Sequence, residues 1–199
     1  AGALGFRSIN GPIPTGTAAI FTRSGDAWIP QAQIKSPDTA SKGRFGASVA
    51  ISGDTILIGA YEADARTGLT GLACVYTRMA GAWSLQSKLI DPDGIANDHF
   101  GSSVAIQGDV AIIGASRNDT AATDAGAAFV FKRAGGKWNR LEELTAPDAA
   151  AGDLFGSCVA LDGDRFFVGA PADDDPETDS GSAYLFDFVP SAAGDWMLY

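Results

Sequence analysis

The sequence is poor in the side chains that most often carry chemistry. Its 199 residues include one histidine, His99, two cysteines, Cys74 and Cys158, and two methionines. No G-x-S-x-G elbow, P-loop, CxxC or HExxH is present, which removes the commonest hydrolase, nucleotide, redox and zinc readings. No apolar run reaches the roughly 18 residues needed to span a bilayer. No signal peptide is visible, and the start "AGALG" is compatible with a processed end. Basic residues are scarce where acidic ones crowd: residues 151–199 hold ten acidic side chains against Arg165 alone, −9 of a total net charge of −10. That balance argues against nucleic acid and anionic membrane as partners, and leaves cations, basic protein surfaces and neutral ligands.

What is abundant is glycine, at 25 residues, and it recurs on a fixed period. "FGASVAISGDTILIGA" starts at Phe45, "FGSSVAIQGDVAIIGA" at Phe100 and "FGSCVALDGDRFFVGA" at Phe155, each 55 residues after the last. Gly16, Gly71, Gly126 and Gly181 keep the period, and each precedes a β-rich run: "TAAIFTR", "LACVYTR", "AAFVFKR" and "SAYLFDF". Trp28, Trp83, Trp138 and Trp196 follow at nearly the same spacing. Cys74 and Cys158 fall at different places in the repeat, so no repeated disulfide framework exists, and both read as buried thiols.

One unit predicts four strands: 48–52, 55–60, 72–78 and 82–89. Gly53-Asp54, repeated at Gly108-Asp109 and Gly163-Asp164, suits a type II′ hairpin between the first two. The links 61–70 and 90–99 are longer and carry the Asp, Asn, Gly and Pro residues. The first two strands are apolar on both faces, which predicts burial on both sides, as in flat blades stacked around an axis. A thin four-stranded sheet cannot bury two faces alone, so like neighbours are required. The expected fold is all-β: a β-propeller, or half-propeller, of four-stranded antiparallel blades, with a β-solenoid as the competing architecture. Residues 1–199 read as a single segment, with a partial first blade at 1–44 and blades at 45–99, 100–154 and 155–199.

The Phe-Gly, "VAI.GD" and "IGA" or "VGAP" stretches, with "G.A.VF.R.G..W" in the second half, resemble the FG-GAP repeat of integrin α-subunit propellers. The match is closest to the bacterial and lectin-like version. Phe155-Gly156 with Gly169-Ala170-Pro171 matches both halves of that name, while the other copies read Gly59-Ala60-Tyr61 and Gly114-Ala115-Ser116. The resemblance implies a non-catalytic, extracellular, cell-surface or periplasmic recognition or adhesion scaffold that binds a protein or glycan through its loops. Two further readings are an architectural subunit that self-associates and an accessory domain of a secreted enzyme. Integrin-type propellers have seven blades, nearly twice what this chain holds. Three arrangements account for the shortfall: a fragment of a larger propeller, a half-propeller completed by a second copy, or a four-bladed ring with a degenerate first blade. Because "DWMLY" completes a last strand, the carboxyl end reads as a natural boundary and the amino end as the ragged one.

Most aspartates recur with the repeat, as turn chemistry does. The exception is "PADDDPETDSG" (171–181), where oxygen-only ligands crowd as a hard cation such as Ca²⁺ prefers, and Asp173, Asp175 and Asp179 are the candidate ligands. Integrin propellers hold calcium in a longer D-x-D-x-D-G-x-x-D loop, a pattern this chain does not reproduce. His99, replaced by Leu154 in the next copy, reads as a covering residue rather than a catalyst. The sequon Asn118-Asp119-Thr120 lies in a link. The tryptophans read as packing against neighbouring blades, with sugar stacking as the alternative.

Overall fold

Glycine-aspartate hairpins and alternating apolar residues translate directly into the sheets of the computed structural model. It describes residues 16–37, 43–65, 68–174, 177–178, 180–190 and 196–198. Fourteen strands form: β1 (Thr17–Ser24), β2 (Ala27–Lys35), β3 (Ser48–Ser52), β4 (Thr55–Ala60), β5 (Leu72–Met79), β6 (Ala82–Leu89) and β7 (Phe100–Gln107) make the first half. The second half is β8 (Val110–Ala115), β9 (Ala127–Ala134), β10 (Lys137–Leu144), β11 (Cys158–Asp162), β12 (Arg165–Ala170), β13 (Ser182–Pro190) and β14 (Trp196–Leu198). They group in sequence order into a two-stranded sheet, β1-β2, and three four-stranded antiparallel meanders. No described residue is helical, so none crosses a membrane as a helix.

Gly53, Gly108 and Gly163 take φ of 55°, 58° and 60° between the first two strands of each meander, while the aspartate after each stays at negative φ. That is the sign pattern of a type II′ turn, whose twist matches that of the flanking strands. The third and fourth strands pair with a bulge at a repeated place, beside Ile20, Val75 and Arg140. A bulge adds local twist to the outermost strand.

The sheets stack as a fan. First strands of successive meanders lie side by side, β3 beside β7 and β7 beside β11, while the outer strands β6 and β10 barely meet. Between the sheets lie three apolar layers. The first joins Ala18 and Ile34 to Phe45, Ile58, Cys74 and Tyr76. The second sets Leu57, Ala73 and Val75 against Phe100, Ile113, Phe129 and Phe131. The third sets Ile112, Ala128 and Val130 against Phe155, Phe166 and Val168. Each Phe-Gly phenylalanine is fully buried at its junction; truncating such a ring to alanine costs about 3–5 kcal/mol. This is the all-β architecture of a β-propeller or half-propeller.

Two expectations are corrected. β4 is buried along its whole length, but β3 is only half-buried and Ile51 is 51% exposed. Ile51 points toward the first sheet, where β1 and β2 are the only described strands, so none lies opposite it. Cys74 is buried as expected, whereas Cys158 is exposed, because it lies on the outward face of the last sheet.

Candidate functional site

In an antiparallel meander the link after the second strand and the link after the fourth emerge at the same end. The tight Gly-Asp and third-to-fourth turns occupy the other end. The long links of this chain are therefore gathered on one rim, and loops on a rigid scaffold are where binding residues concentrate.

Backbone hydrogen bonds stitch these links together across the junctions. Phe100 N–H donates to Thr70 C=O at 3.1 Å, and Phe155 N–H to Ala125 C=O at 2.8 Å. Asn97 N–H donates to Leu69 C=O at 3.0 Å and Gly152 N–H to Thr123 C=O at 3.0 Å. Two recurring aspartates hold the link interiors. The Oδ2 atoms of Asp98 and Asp153 accept from Ile95 N–H (2.7 Å) and Ala150 N–H (2.6 Å), three residues back in each case. Asp91 Oδ1 accepts from Asp93 N–H at 3.1 Å and from Arg140 Nη1 at 2.9 Å, and the Arg140 guanidinium lies over the Phe129 ring.

Asp98 is nearly fully buried, and its Oδ1 has no hydrogen-bond partner. Burial, reinforced by Asp91 and Asp119, pushes its carboxyl up to about 6, against the lowering effect of Ile95 N–H and Asn118. The His99 ring packs tilted against Tyr61, 5.0 Å between centroids and 58° between planes. Burial, and then Arg117, lower its pKa. The carboxylates of Glu62 and Asp124 act in the opposite direction. Asn118 is buried; its Oδ1 accepts from Thr120 N–H at 2.9 Å and its Nδ2 donates to Asp98. The link is exposed at Asp119 and Thr120, but an Asn118 side chain so engaged is not presented for glycosylation.

Of the candidate calcium ligands, Asp173 is described and Asp175 and Asp179 lie outside the described residues. Asp173 is buried, and its Oδ2 lies 2.5 Å from the Tyr184 hydroxyl, which also lies 2.7 Å from Asp148 Oδ1. Burial and then these two carboxylates raise the Tyr184 pKa, since a phenolate there would face like charge. Among the described residues no three acidic, histidine or cysteine side chains converge as a metal site.

Trp83 and Trp138 reach back to the preceding sheet, donating from Nε1 to Gln31 (3.4 Å) and Gln86 (3.0 Å). Both rings also carry an arginine, Arg78 and Arg133. They pack between blades, as the sequence predicts, while Trp28 on the first sheet is 59% exposed.

A family profile described as FG-GAP repeat matches residues 28–76, 83–131 and 138–186. Each match runs from the outer strand of one sheet to the third strand of the next, so it spans the junction just described. The chain belongs to the FG-GAP repeat family. FG-GAP repeats build integrin-like extracellular propellers for adhesion and recognition, generally as non-catalytic scaffolds that bind proteins. No curated protein matches the chain.

Sequence reasoning missed one feature of the rim. Leu69 and Ile95 are 41% and 52% exposed, on links joined by the Asn97–Leu69 hydrogen bond. Their counterparts one repeat later are Asp124 and Ala150. The signal was available as two apolar residues at positions that are polar or small in the next copy.

Proposed function

We propose that this FG-GAP chain is a non-catalytic recognition scaffold of an extracellular, cell-surface or periplasmic setting. It binds a protein or glycan through the link rim between the second and third sheets. The observation that carries this reading is the pair Leu69 and Ile95, exposed on links that are otherwise polar and held by buried aspartates. Solvent-exposed apolar side chains on a rigid frame are the usual anchors of a binding surface, with a polar surround supplied here by the exposed Asp93 and Asn97 of the same link. A Ca²⁺ ion at Asp173, Asp175 and Asp179 belongs to the same proposal as a stabiliser of the last link.

The test is a glycan array and a panel of immobilised extracellular proteins, probed with the chain and with its Leu69→Asp/Ile95→Asp double variant. A specific signal that drops at least about tenfold in the variant, at unchanged melting temperature, supports the reading. A signal indifferent to the double substitution contradicts the rim. The metal is tested by melting with chelator and then with millimolar Ca²⁺, since an ion bound only to the folded chain raises the midpoint. No shift removes it.

A further inference from the structure

We propose that the outward face of the last sheet docks the first sheet of a second copy of this chain, head to tail. Which ligand the rim takes does not bear on it.

The two junctions inside the molecule are built to one plan. Ser48 Oγ donates to Gly101 C=O at 2.8 Å, and Ser103 Oγ to Gly156 C=O at 2.7 Å. The last residue of each first strand then accepts from the glycine of the next hairpin: Ser52 Oγ from Gly108 N–H at 2.9 Å, and Gln107 Oε1 from Gly163 N–H at 2.7 Å. Gly59 and Gly114 lie so close to the Gly101 and Gly156 carbonyls that a Cβ would collide with them. The central apolar pairs, Leu57 with Val75 and Ile112 with Val130, are 0% exposed.

The last sheet repeats the apolar and glycine parts of this half of the plan with nothing described against it, while Cys158 stands in place of the donating serines Ser48 and Ser103. One row across its outward face is Ala160, Phe167 and Leu185, and the next is Cys158, Gly169 and Ala183. Phe167 and Leu185, the counterparts of Ile112 and Val130, are 43% and 50% exposed. A Cβ on Gly169 would meet only Cys158, not the backbone of another sheet. Asp162 stands where Ser52 and Gln107 accept the next hairpin's N–H. The face is thus continuous with two established interfaces and shaped for a third of the same kind.

The opposite end supplies the apolar part of the complement: β1 and β2 correspond to the third and fourth strands of a meander, so the Phe-Gly strand and Gly-Asp hairpin used at the inner junctions are not among its described strands. Ala18 and Ile20 of β1 pack inward against the second sheet, so alternation turns Ala19 and Phe21 to the other face, where they are half-buried. Charge points the same way: residues 1–44 carry five basic side chains against two acidic, +3, whereas residues 151–199 carry −9. Opposite potentials favour a head-to-tail encounter and disfavour tail-to-tail pairing. Such a heterologous contact closes into a ring when the rotation permits, and two copies bring eight sheets, within the 4–8 of known propellers.

The experiment is solution mass by light scattering across concentration and salt. The wild-type chain is expected near 41 kDa, twice 20.4 kDa, and to dissociate as salt rises. Phe167→Asp, Gly169→Ala and Phe21→Asp are each expected to weaken association at least about tenfold, with circular dichroism unchanged. A mixture of the Phe167→Asp and Phe21→Asp chains, each monomeric alone, is expected to recover a pair through the one intact head-to-tail junction. A mass near 20 kDa at every concentration overturns the proposal and leaves the face to another partner. So does a dimer that survives Phe21→Asp, which would mean tail-to-tail contact, or a pair indifferent to Phe167→Asp.

Discussion

Asp98 shows how one carboxylate sets the behaviour of a link. Its Oδ2 caps Ile95 N–H, while Oδ1 is buried without a partner, and burial lifts its pKa to about 6, above the usual carboxylate range. An acid whose pKa is raised on folding binds its proton more tightly in the native state. Its contribution to stability is therefore full below about pH 4 and is lost as pH rises through about 6. Wild type should accordingly gain stability relative to Asp98→Asn as pH falls from 7 to 4, in paired urea titrations. A difference flat across that range would contradict the burial assigned to Oδ1. The repeat reveals the capping role in the sequence, since Asp98 and Asp153 precede the second and third Phe-Gly by two residues. The missing partner is not readable there, because it depends on how Asp91, Asn118 and Asp119 converge from separate links.

At the scale of the element, hairpins carry most of what was legible. The strands expected at 48–52, 55–60 and 82–89 form as β3, β4 and β6, and the one at 72–78 extends by a residue to Met79 as β5. Turn chemistry explains this success: a glycine at the first central position fixes both the register and the place where each strand stops. The third-to-fourth turn is more revealing. Both central residues take positive φ, Ala80 at 49° with Gly81 at 84°, and Gly135 at 57° with Gly136 at 78°. Ala80 is the odd one out, since glycine stands at its counterparts Gly25 and Gly135. An L-residue in the left-handed region costs roughly 1 kcal/mol, so Ala80→Gly should stabilise the chain by about that much, less some unfolded-state entropy. Denaturant midpoints will show it; a destabilised variant would mean that the Ala80 methyl packs against something.

The whole molecule is a stack in which each sheet is stable because the next one covers it. Periodicity announced the stacking but could not say which faces are covered. Phe167 and Leu185 read like Ile112 and Val130 in sequence, and Cys158 reads like any small residue beside a crowded axis. Their exposure is decided by whether another sheet lies against them in space, which their place in the repeat does not encode. The rim was legible only as loops, because binding residues such as Leu69 and Ile95 depart from the repeat instead of conforming to it. The most direct test of the stacking is an alanine series at one repeated position: Gly59→Ala, Gly114→Ala and Gly169→Ala, unfolded in denaturant at a concentration where the chain is monomeric. The first two should each lose roughly 2–4 kcal/mol, because a Cβ meets the carbonyl of the next sheet. Gly169→Ala should lose far less, because there only the Cys158 side chain has to turn aside. Equal losses at all three positions would contradict the face-to-face stack.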